Sequence, residues 1–156
     1  MRNRLADKAY LVALLALALA ASSPPALAAG DVGRVKDSKG SVQIERGGKR
    51  MAASVGTGIQ PHDTIVTGAD GSVGITFSDD SMLSAGPGSV LTIDKYVFDR
   101  STNKGEFEST LSKGTLAAVS GRMVKQTPES MRVRTPAAVM GVRGTEFAVR
   151  VGEPAR

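Results

Sequence analysis

Cysteine is absent from the 156 residues, and His62 is the single histidine. These two absences remove much chemistry at once. No disulfide can staple the fold, and no His/Cys cluster can hold a metal. A serine hydrolase would have only His62 as its base, and no G-x-S-x-G elbow presents a serine. His62 follows Pro61 in an expected loop, where an ordinary exposed histidine is the simpler reading. Aromatic residues make up only 4% of the chain, too few for the stacking platforms of single-strand binders. No nucleic-acid module is recognisable either, so the net charge of +5 does not point to DNA or RNA.

Lysine and arginine are missing between residues 51 and 94, a stretch that carries Asp63, Asp70, Asp79, Asp80 and Asp94. From Arg122 onward seven basic residues stand against three Glu. The chain therefore has an acidic middle and a basic end, which either pair within the fold, are solvated, or form a basic face for an anionic partner. Asp79 and Asp80 are adjacent, so on a strand they point to opposite faces and do not form a catalytic carboxylate pair by themselves. A turn role suits them better. Neither they nor Asp70 belong to a spaced acidic loop for calcium, and Gly86-Pro87-Gly88 lacks the helix and lysine of a phosphate loop. No cofactor is expected, and no metal.

Long apolar runs are lacking too, except one. Residues 9–21 are Ala, Leu, Val and one Tyr, preceded by Arg2, Arg4 and Lys8 and followed by Ala26-Leu27-Ala28. That order is a signal peptide, and the run is short for a membrane span, which needs about 20 residues. The expected division is residues 1–28 as signal peptide and 29–156 as one domain. Processing removes three basic residues and Asp7, leaving 17 − 14 = +3. No membrane span is expected afterwards.

What remains is alternation. Val42 and Ile44, then Val73, Ile75 and Phe77, alternate with polar neighbours. Leu91, Ile93, Tyr96 and Phe98 suggest one bent strand. Residues 107–111 and 115–119 read as strands around Ser112-Lys113-Gly114, and 121–130 reads as a polar linker. No helical apolar period occurs after the signal peptide. Short strands with turns at regular spacing predict an all-β domain, either a sandwich or a solenoid-like stack. The close turns at residues 68–71, 79–81 and 86–88 suit coiling.

The closing stretch, RVRTPAAVMGVRGTEFAVRV from Arg132 to Val151, is the most specific. Met131, Val133 and Thr135 alternate with Arg132 and Arg134, and Pro136 ends that strand. Residues 137–140 are small and apolar, suited to a tightly packed crossing. Gly141 and Gly144 flank Val142 and Arg143 and permit a sharp turn. Phe147 then falls on the apolar face of a last strand with Thr145, Val149 and Val151. Arg143 has two readings: its planar fork contacts a partner's carboxylate or phosphate, or it folds inward to satisfy loop carbonyls or an Asp of the acidic middle. The structural reading is the expectation.

Thr135-Pro136 followed by Val142-Arg143-Gly144-Thr145-Glu146-Phe147 resembles the closing signature of the FecR domain, a bacterial periplasmic module. Asp63-Thr64-Ile65-Val66-Thr67-Gly68, Gly71-Ser72-Val73-Gly74-Ile75-Thr76-Phe77 and Gly114-Thr115-Leu116 resemble the family in the same order, from about Val35 to Val151. The resemblance implies an all-β periplasmic domain for signalling or protein interaction, not catalysis. It implies mainly structural roles for Thr135, Pro136, Gly141, Val142, Arg143, Gly144, Thr145 and Phe147. Arg132 and Arg134 are the candidate partner contacts. Family regulators carry a sigma-factor-binding region before a membrane span. Only about ten residues precede the apolar run here, so the anti-sigma role is not carried over. The expectation is a non-catalytic envelope module that binds a protein or ligand. The alternatives are a structural protein that binds peptidoglycan or polysaccharide and, third, a carboxylate enzyme.

Overall fold

Alternation becomes sheet almost throughout residues 30–152, which the computed structural model describes. The expected signal peptide, residues 1–28, lies outside the described residues. The strands are β1 (Gly33–Lys39), β2 (Val42–Arg46), β3 (Lys49–Ala52), β4 (Gly58–Ile59), β5 (Thr64–Thr67), β6 (Ser72–Phe77), β7 (Met82–Ala85), β8 (Val90–Phe98), β9 (Gly105–Val119), β10 (Met131–Arg134), β11 (Val139–Gly141) and β12 (Glu146–Val151). The one helix among the described residues is α1 (Arg122–Gln126).

These strands form one sheet curled into two faces that share β9. One face runs β3-β2-β5-β8-β9-β10-β11, the other β4-β1-β6-β7-β9-β12. Every pairing is antiparallel except β10 with β9. Solenoid layers would stack in parallel, so of the two expected architectures this is the sandwich.

β9 corrects the reading of two strands around a turn. It is continuous for 15 residues. Residues up to Lys113 pair with β8, and residues from Gly114 on pair with β12. Gly114 makes the corner at φ +92, and a Cβ there would lie 2.2 Å from the Ser89 hydroxyl. Only glycine allows both the conformation and the approach. Ser89 fastens the corner, donating to the Thr115 carbonyl at 3.1 Å and accepting from the Thr115 N–H at 3.0 Å.

The interior follows from the alternation. On β6, Val73, Ile75 and Phe77 are buried and the residues between them are half-buried. On β8 a bulge at Asp94 breaks the register, and the inward set moves from Leu91 and Ile93 to Tyr96. An extra residue at a bulge has this effect, because side chains alternate with period 2. The shift brings Tyr96 to Phe77 of the opposite face, ring centroids 5.3 Å apart, and to Phe107 at 5.1 Å. Phe77 and Phe107 meet at 4.6 Å. This trio ties the two faces together.

The expected linker at 121–130 contains α1, with Met123 and Val124 buried against the core. Two apolar residues in a polar stretch show no period, yet they are enough to seat one helical turn.

Candidate interaction face

The closing stretch is divided between the two faces. β10 runs parallel to β9 with Met131 and Val133 buried and Arg132 and Arg134 exposed. β11 turns back on β10 as a hairpin, held by Thr135: its hydroxyl and the Ala138 backbone exchange hydrogen bonds at 3.1 Å. The expected tight packing of residues 137–140 is not found. Ala137 and Ala138 are exposed, and Val139 is 60% exposed, because β11 is the last strand of its face.

The β10 arginines enter a ladder of alternating charge. Arg132 pairs with Glu108 at 3.2 Å and Glu106 at 3.4 Å, and Arg134 lies 3.6 Å from Glu108. Lys95 pairs with Glu106 on the other side. The contact with Lys95 holds the Glu106 carboxyl below its usual range, and Glu106 in turn raises the Lys95 ammonium. Parallel register sets this up, by placing Arg132 beside Glu108. Three cations face two carboxylates, so the ladder keeps one positive charge and stays at the surface.

Arg143 does not fold inward. Its side chain is 74% exposed, and its partner is Glu129 of the segment before β10, reached by Nε at 2.7 Å and also by Nη2. The expected partners in the acidic middle are taken by others. Buried Asp63 accepts the fork of Arg46 at 2.7 and 2.6 Å, and exposed Asp80 pairs with Arg122 at 2.9 Å. The loop holding Arg143 is pinned on both sides. Val142 is buried and donates its N–H to the Met131 carbonyl, while Ser120 donates its hydroxyl to the Gly144 carbonyl at 2.5 Å and its N–H to the Thr145 carbonyl at 2.8 Å. Gly144 adopts φ +111, and its Cβ position is open, so the conformation alone calls for glycine there. Gly141 has neither a positive φ nor a close neighbour at its Cβ position, which removes the expected steric reason for it. Thr145 is exposed, and Phe147 is half-buried at the edge of the core.

Two hollows flank the closing strand. One, of 440 Å³, lies between α1 and the signature loop, lined by Val124, Lys125, Arg143 and Thr145 among others. The other, of 540 Å³, opens between the β10–β11 hairpin and β12, with Thr135, Pro136, Met140, Val149 and Val151 in its wall.

The acidic residues weighed for catalysis have separate fates. Asp79 is buried and accepts from the Tyr96 hydroxyl at 3.0 Å and the Ser81 hydroxyl at 2.6 Å, while Asp80 stands outside. Burial, and then the nearby Asp79 carboxylate, pushes the Tyr96 phenol above its ordinary range. The Ser81 N–H also bonds Asp79 at 3.2 Å, the local turn expected of an aspartate here. His62 is exposed at φ +70. No group of three or more metal-ligating side chains occurs among the described residues. Sequence reasoning missed the glutamates at 106, 108 and 129 that partner the arginines. Their only local sign is the spacing of two around Phe107.

The chain matches the FecR protein family over residues 63–155. No curated protein and no solved structure matches it. The match starts at the Asp63 motif rather than near Val35, although β1 to β4 lie upstream and are built into the same sheet. Spanning more than half of the sequence and ending beyond β12, it places the chain in the FecR family.

Proposed function

We propose that the protein is a non-catalytic interaction or sensing module of the bacterial periplasm, which offers the signature loop and the β10 arginines to an envelope partner. The observation that carries this reading is the exposure of the closing signature. Arg143 and Thr145 stand at the surface, where packing gives no reason for their side chains, and Gly144 between them serves the turn. Arg143 holds an exposed ion pair with Glu129, worth about 0–1 kcal/mol, while Arg132 and Arg134 reach out from half-buried Glu106 and Glu108 with their own side chains about half exposed. A carboxylate-bearing partner can exchange with Glu129 at little cost and add to the ladder through the exposed sides of Arg132 and Arg134, with charge acting mainly on encounter and orientation. The two buried carboxylates of the middle, Asp63 and Asp79, are already engaged by Arg46 and by Tyr96 and Ser81, which favours a structural role for them over acid–base work.

The test is capture of envelope proteins on the immobilised full chain, followed by titration with the captured partner over a salt series. Binding is expected to weaken with salt and with Arg132→Glu or Arg134→Glu, at unchanged melting temperature. Binding indifferent to salt and to both reversals would remove the arginines from the reading. Capture of peptidoglycan sacculi alone would favour the structural alternative, and glycan or peptide turnover lost in Asp79→Asn would end the non-catalytic proposal. Export is tested separately, by mass spectrometry of the processed N-terminus, expected at Ala29.

A further inference from the structure

Among the described residues, β12 has a neighbouring strand on one side only. It pairs with β9 from Glu146↔Val119 to Val151↔Gly114 without a break in register, and no described strand lies along its other edge. An unpaired edge presents a row of N–H and C=O groups ready to extend the sheet, and proteins usually blunt it with proline, charged side chains or a bulge. β12 has no proline, lysine or bulge, and its two exposed charges, Glu146 and Arg150, are of opposite sign.

Its sequence indicates which strand fits. Glu146-Phe147-Ala148-Val149-Arg150 is self-complementary about Ala148. An antiparallel copy placed across a two-fold axis at Ala148 sets Glu146 opposite Arg150, Phe147 opposite Val149, and Ala148 opposite itself. Residues opposed in this way lie on the same face of a sheet and interact directly. The burial agrees with the pairing: Glu146, Ala148 and Arg150 are exposed, and Phe147 and Val149 are half-buried. Neither Glu146 nor Arg150 has an ion-pair partner among the described residues. The smallest residue of the strand would sit on the axis, with one Glu–Arg pair on each side of it. The apolar contact of Phe147 with Val149 would continue the wall of the 540 Å³ hollow, to which Met140, Val149 and Val151 contribute.

We propose that β12 is a homodimerisation edge, along which two copies pair antiparallel about Ala148 and join their sheets. One strand pair buries less than the roughly 1,200 Å² of a standard stable interface, so the dimer is reversible and depends on concentration. This contact is independent of the β10 arginines and of the envelope partner.

Sedimentation of the purified full-chain protein over about a hundredfold range of concentration reads the equilibrium. A monomer–dimer transition is expected. Glu146→Arg and Arg150→Glu each oppose like charges twice, and each should raise the dissociation constant at least ~10-fold. An equal mixture of the two variants re-forms both pairs and should dimerise as the parent does. The double variant Glu146→Arg/Arg150→Glu keeps both pairs within one homodimer and should also match the parent. A protein that is monomeric throughout overturns the proposal, even if it binds another envelope protein. So does a dimer indifferent to both reversals, or a mixture no tighter than the variants alone.

Discussion

The buried polar junctions and the exposed charge ladder use similar side chains for opposite ends. Arg46 with Asp63, and Tyr96 and Ser81 with Asp79, place polar groups inside the sandwich or at its rim, where every lone pair must be met. Arg46 also donates to the Gly58 carbonyl at 2.8 Å, so one guanidinium bridges the end of β2 to β4 on the other face. Lys95, Arg132 and Arg134 are about half exposed over the half-buried Glu106 and Glu108, and Arg143 with Glu129 lies in water. Breaking the first set strands a buried charge. Breaking the second leaves charges that water can still reach, most fully at Arg143 and Glu129. The difference assigns charge at the junctions to architecture and leaves the ladder as the surface on which the proposed recognition would draw.

The sharpest way to break this contrast is Arg46→Met. It leaves the Asp63 carboxylate, fully buried, without its cation, at an expected cost of ~3–5 kcal/mol. Urea denaturation measures it, and a loss below that of the ladder variants would erase the distinction. Gly114→Ala should follow. The positive φ alone costs ~1–3 kcal/mol for a residue with a side chain, and the clash with Ser89 adds to it. The same denaturation curves should also show looser pairing of β12.

Tyr96→Phe comes next. It removes one donor from Asp79, for ~1–3 kcal/mol, and it changes the pH dependence. The folded protein holds this phenol protonated above its unfolded value of about 10. The contribution is therefore complete below that pH and declines as the pH rises beyond it. Thermal melts above pH 10 should fall more steeply in the parent than in Tyr96→Phe. The smallest effect belongs to Arg143→Ala, expected to change stability by less than about 1 kcal/mol while weakening partner binding. A large drop in melting temperature would return Arg143 to the scaffold.

Much of the sheet was legible because alternation is local. The parity break between Ile93 and Tyr96 already carried the bulge at Asp94, and Met131 and Val133 announced the inner side of β10. Partner choice was not legible. Nothing near Val35 says that β1 will join β6, or that β10 will lie parallel to β9, since these pairings depend on the closure of long loops. Ser112-Lys113-Gly114 read as a turn because glycine marks turns and sheet corners alike. The aspartates of the middle are visible as a group and suggest inward partners for Arg143, whereas Glu129, fourteen residues before it, stands in a polar stretch with no period of its own. The buried state of Asp79 depended on Tyr96, which the bulge delivers to it from another strand.

β9 belongs to both faces, and this governs how the chain can fold. The strands before it can form hairpins, but the first face lacks its share of β9 until residue 113 is available and the second until residue 119. β10 and β12 can dock only after that. The rate-limiting assembly must therefore gather segments far apart in sequence, which places folding in the millisecond-to-second regime of β-rich topologies. Until β9 is in place the chain holds only local hairpins, and its docking is what joins the two faces.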